Sequence, residues 1–147
     1  VVGVKDVSTP LPSSLRLSSV ETVIVECSVV ARIVIDELTV KSFDSPDETV
    51  TFANGRSEGV RLDRRTFWLT RVEPGWVFSR DNAPELGTDS CPEPHRLYVV
   101  SGRMTVEMDG GDRETLARGD VALIPPGHDA WVVGDEPAVF FEEAIET

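Results

Sequence analysis

From Gly59 to the C-terminus the chain is a succession of short β-branched and apolar runs, each closed by a Gly- or Pro-containing turn. Thr66–Glu73 ends at Pro74-Gly75, and Trp76–Ser79 begins the next run. Arg96–Val100 and Arg103–Met108 flank Ser101-Gly102, which reads as a tight hairpin turn because Gly supplies a positive φ. Within Arg103–Met108, Met104, Val106 and Met108 alternate with Arg103, Thr105 and Glu107, the period-two signature of a half-buried strand. Asp109-Gly110-Gly111 and Arg118-Gly119-Asp120 are further turns. Val121–Ile124 is a near-continuous apolar run expected in the core, Pro125-Pro126-Gly127 ends it, and Ala130–Val133 and Ala138–Phe141 complete the set. Many short strands at this spacing predict a sandwich or barrel, and no long helical pattern competes.

Upstream the pattern changes. Residues 1–40 are rich in Val and Ser and hold one ordered candidate, Glu21–Val34, whose β-branched content favours a strand, while its periodicity also admits a short helix. Ser42–Glu58 contains Asp44, Pro46, Asp47, Asn54 and Gly55, and so reads as loop with one short strand at most. The division expected is an N-terminal extension over residues 1–40 and one β-domain over residues 41–147, large enough to bury a core without disulfides. A formal charge of −12 argues against nucleic acid and against anionic membrane as partners, since both need a Lys/Arg surplus. The most apolar stretch, Val20–Val40, is interrupted by Glu21, Glu26, Arg32, Asp36 and Glu37, so no spanning helix is expected. With no secretory pattern and two cysteines, Cys27 and Cys91, reduced thiols and a cytoplasmic location are the expectation.

The segment from His95 through Gly127 resembles the cupin family. Gly119, Pro125 and Gly127 fit the first half of that family's second motif, G-x5-P-x-G, and Gly102 fits the glycine that closes its first motif. Three strings are similar to a subgroup of small bacterial cupins of type-2 kind: Gly87–Cys91 (GTDSC), Ser101–Met104 (SGRM) and Pro125–Pro137 (PPGHDAWVVGDEP). The similarity extends upstream to Phe43–Thr49. The resemblance implies an all-β fold, a Greek-key double-stranded β-helix (jelly-roll) barrel, with a pocket at its mouth. It names no reaction, because this fold hosts enzymes, storage proteins and sensors.

Metal-binding cupins use three His and one Glu, and all four positions differ here. By the family spacing His95 stands at the Glu position, Asp89 and Cys91 at the two first-motif His positions, and Ala130 at the second-motif His position. His128 lies two residues before Ala130, hence on the same side of an extended strand. Cys91, His95 and His128, with Asp89 as an optional carboxylate, form a sensible set for Zn, Fe, Mn or Ni as a divalent ion. Each of these residues alone has an ordinary structural reading: a buried thiol behaves as a small hydrophobe, and a lone His is commonly just hydrogen-bonded. Asp129 could orient His128, and Trp76, Phe78, Tyr98, Leu123 and Trp131 could line an apolar pocket.

The sequence therefore predicts a small cupin-domain protein that binds a divalent transition metal, a small molecule or both, with no organic cofactor. The alternative is a metal-free small-molecule binding or sensing module. A homodimer formed through the Val-rich segment Thr22–Val34 is a further expectation.

Overall fold

The computed structural model describes residues 35 and 37–144. The expected strand at Glu21–Val34, the proposed dimer segment, and Cys27 lie outside these residues. Nine strands and two short helices follow one another: β1 (Glu48–Phe52), β2 (Gly55–Leu62), β3 (Arg65–Val72), α1 (Phe78–Asp81), α2 (Ala83–Leu86), β4 (His95–Ser101), β5 (Arg103–Met108), β6 (Arg113–Ala117), β7 (Val121–Ile124), β8 (His128–Val132) and β9 (Ala138–Glu143).

These strands form two separate sheets, a six-stranded one ordered β1-β2-β3-β9-β4-β7 and a three-stranded one ordered β6-β5-β8. The expected all-β, jelly-roll barrel is thereby overturned. Neither sheet closes, and two helices join the strands in a mixed architecture that keeps a cupin-like sheet topology. The reason lies at the corners. Ser101-Gly102 is not a hairpin turn, because β4 pairs with β7 and β9 whereas β5 pairs with β6 and β8. The chain passes there from one sheet to the other. Gly102 has φ 73°, and a Cβ on it would sit 2.1 Å from the Pro137 carbonyl oxygen, so the corner is pressed against the start of β9. Arg118-Gly119 makes a second passage, from β6 back to β7 in the larger sheet.

Three further expectations change. Ser42–Glu58 holds the whole of β1 and the start of β2, paired from Glu48↔Gly59 to Phe52↔Gly55 across a two-residue turn, with Asn54 left-handed at φ 57°. Only Val77 of the expected Trp76–Ser79 strand bridges, to Trp131. A helical turn then starts, and the Asp81 carboxylate at its end reaches back to accept from the Val77 backbone N–H at 3.0 Å. Val121–Ile124 is an edge strand rather than a core strand: Val121 and Leu123 are 74% and 76% exposed, and Ile124 is buried. β3, β4, β5, β8 and β9 match the expected runs to within about two residues, β6 corresponds to no expected run, and Asp109-Gly110-Gly111 is the hairpin between β5 and β6.

The core lies between the sheets. Val72, Leu97, Val99, Ala138 and Phe140 from the larger sheet meet Met104, Val106, Ala130 and Val132 from the smaller. Alternation along each strand delivers these residues to one side, and full burial of a side chain such as Val72 or Val99 is worth roughly 1.5–3 kcal/mol.

Candidate metal centre

At one end of the core, three elements bring their nucleophilic and imidazole side chains together. Along β8 the burial pattern alternates, so His128, Ala130 and Val132 face inward, as the two-residue spacing predicts. The segment before β4 is drawn alongside β8 at Cys91: its N–H donates to the His128 carbonyl at 2.7 Å, and its carbonyl accepts from the Gly127 N–H at 2.8 Å. His95 opens β4 and pairs with Ile124 of β7. As a result the ligand atoms of Cys91, His95 and His128 all lie within 4.8 Å of one another. The two imidazole rings meet edge to face at 5.2 Å. Cys91 is a free thiol only 4% exposed and His128 is 3% exposed, so little water competes for the donors.

Each imidazole is held from behind. His128 Nδ1 lies 2.7 Å from the Pro125 carbonyl oxygen. A carbonyl can only accept, so Nδ1 carries the proton in that bond. His95 Nδ1 lies 2.7 Å from Glu142 Oε2, and its Nε2 is 3.3 Å from the Cys91 sulfur. Burial by itself pushes the Cys91 thiol up, but hydrogen bonds from His128 and His95 outweigh it and bring the thiol down to about 6. Burial likewise opposes charge on His95, and the Cys91 sulfur and the Glu142 carboxylate overcome it, raising His95 to about 10. At neutral pH the metal-free group is a thiolate–imidazolium pair backed by a carboxylate.

Not every expected site residue joins. Asp89 is exposed in the bend before Cys91 and is not part of the group. Asp129 points the other way along β8 and accepts from the Ser79 and Ala130 backbone N–H groups, so Pro125 rather than Asp129 orients His128. Of the five residues expected around the pocket, Trp76 and Phe78 line it. Tyr98 and Leu123 are exposed, and Trp131 lies beneath the Arg113 guanidinium. Glu142 was not singled out by sequence reasoning. Its signal was parity: in β9 it continues the inward positions Ala138 and Phe140, an unusual place for a carboxylate without a partner.

Beyond the three donors a cavity of about 150 Å³ runs between the sheets. Its walls include Phe52, Trp76, Leu97, Met104 and Phe140.

Residues 92–142 match the family described as Cupin domain, which supports a cupin-superfamily domain there; the matched stretch includes His95, His128 and Glu142, with Cys91 one residue outside it. No curated protein matches the chain. Solved structures with similar folds include a structural-genomics protein of unknown function from Rhizobium leguminosarum, 17% identical with TM-score 0.51, covering 76% of this chain and 99% of that one. A protein of unknown function (DUF1255) from Acidithiobacillus ferrooxidans is 21% identical with TM-score 0.50, covering 68% and 88%. The coconut allergen cocosin is 20% identical with TM-score 0.51, covering 67% of this chain and 30% of its own. At these identities the likeness concerns the fold alone. No helix among the described residues is long and apolar enough to cross a membrane.

Proposed function

We propose that this protein is a metal-binding cupin of the small bacterial type, in which Cys91, His95 and His128 hold one divalent first-row ion beside a small-molecule cavity. The observation that carries this reading is the convergence of one thiol and two imidazoles within 4.8 Å. The donor set fits such an ion. A thiolate with two imidazoles suits Zn²⁺ and its softer neighbours, and three protein ligands leave a position for substrate or water. The tethers fit as well: Glu142 and the Pro125 carbonyl accept hydrogen bonds from the Nδ1–H groups, which leaves Nε2 of each ring free to face an ion. When bound, the ion supplies Lewis acidity or a redox centre. The chain's own residues orient the donors, exclude water and hold a proton between Cys91 and His95 that must leave before the ion can bind.

The decisive experiment is elemental analysis of protein purified without a His-tag, beside Cys91→Ser and His95→Ala, followed by Co²⁺ titration. About one equivalent in the wild type, a thiolate-to-Co²⁺ charge-transfer band in the near ultraviolet, and loss of both in the variants are expected. Less than about a tenth of an equivalent with no uptake on titration overturns the assignment. One observation favours a second reading, a metal-free binding module: the Cys91 sulfur and the Glu142 carboxylate are both already hydrogen-bonded to His95 without an ion. Ligand-dependent thermal stabilisation that survives EDTA would favour that module.

A further inference from the structure

The cavity walls constrain what can enter. Outside the donor group and Glu142, nine wall side chains are aliphatic, aromatic or thioether, and the three polar ones, Ser57, Thr70 and Asn82, each already make one hydrogen bond. Trp76 Nε1 donates to Asn82 Oδ1 at 2.8 Å, and the Ser57 and Thr70 hydroxyls share a hydrogen bond of 2.8 Å. His95 and His128 are tied to Glu142 and Pro125. A ligand hydroxyl placed against the apolar walls would lose its water and gain no partner, which weakens binding by about tenfold or more per group. Polar groups are concentrated at the Cys91–His95–His128 end; elsewhere only the Asn82 amide N–H groups and one hydroxyl of the Ser57–Thr70 pair keep donor capacity among the lining residues. The volume of about 150 Å³ is the space that one benzene-sized ring occupies in a dry apolar cavity.

Building on the metal-centre reading above, we propose that the cavity takes a compact apolar molecule, one ring or a short branched chain, with a single oxygen-donor head turned toward the Cys91–His95–His128 group. Sugars, polyols, nucleotides and fused-ring compounds are disfavoured by the same walls. Selectivity comes from size and from the scarcity of hydrogen-bond partners away from the head.

The test uses the full chain loaded with Co²⁺ and three monocarboxylates read by the visible Co²⁺ spectrum. Benzoate should shift the spectrum saturably. Shikimate, with a similar ring and head but three hydroxyls, should bind about a hundredfold or more weaker, and 2-naphthoate, with two rings, about tenfold or more weaker. Shikimate or 2-naphthoate binding as tightly as benzoate overturns the apolar or the size limit respectively, and no response to any of the three overturns the placement of the head. Ala130→Leu fills the cavity without touching a donor, so retained Co²⁺ uptake with benzoate binding lost supports the proposal, and unchanged benzoate binding overturns it. Failure of the metal reading is separable: a chain that takes up no Co²⁺ refutes that reading, and toluene added to the metal-free chain then reports on the cavity. A toluene-dependent rise in Tm supports apolar selection, and no rise overturns it.

Discussion

Glu142 is the most informative residue to perturb, because it touches only one of the three donors and does so through a single hydrogen bond. Its Oε2 accepts from His95 Nδ1 at 2.7 Å, with both side chains mostly shielded from water. Removing such a partner from a ligating imidazole lowers metal affinity by about 10- to 100-fold, because ring orientation and ring basicity are both lost. The two effects separate by substitution. Glu142→Gln keeps an acceptor and removes the charge, so about a tenfold loss is expected, near 1.4 kcal/mol. Glu142→Leu removes both in a position paired with Leu97, so about a hundredfold loss is expected, near 2.7 kcal/mol. Glu143→Gln is the control, since Glu143 lies on the opposite face of β9 and pairs with Arg65. The assay is competition for Co²⁺ against a chromophoric chelator at neutral pH, with metal-free thermal melts to verify folding. Affinities of both Glu142 variants within about twofold of wild type would refute the claim that this carboxylate tunes the site.

Three other outcomes follow from the same geometry. Between about pH 6 and about pH 10 the Cys91–His95 pair holds one proton, so metal uptake should release one proton per ion there and approach two at lower pH, measurable by calorimetry in buffers of different ionisation enthalpy. Without metal, thermal stability should peak between these limits and decline on both sides. Cys91 has its pKa lowered from 9.0 on folding, so its contribution is lost as pH falls through about 6, whereas His95 is raised from 6.5, so its contribution is lost as pH rises through about 10. A Cys91→Ser variant should flatten both declines, and an unchanged bell would exclude the pair as its source. Finally, Gly102→Ala should destabilise by more than about 2 kcal/mol in urea unfolding, since its Cβ meets backbone at 2.1 Å, while Gly75→Ala, with φ 88° in open space, should cost only about 1 kcal/mol.

Period-two alternation made β5 legible in the sequence to the residue, because the hydrophobic side of a strand is written locally. The same parity rule predicted that His128 and Ala130 share a face, and counting back from Gly102, the glycine that fits a known motif, put Cys91 and His95 at that motif's ligand positions. Parity in β9 also carried Glu142, but a carboxylate on an inward position has meaning only once its partner is known, and that partner is 47 residues away. Gly102 announced a sharp change of direction without revealing which strands would pair on either side of it. A turn signal reports local backbone torsion, whereas pairing is decided by which edges and faces can be covered at once, a property of the whole chain. The closeness of Cys91 to His128 is of that kind as well. It depends on two backbone hydrogen bonds between segments 37 residues apart, which tertiary packing alone brings into register.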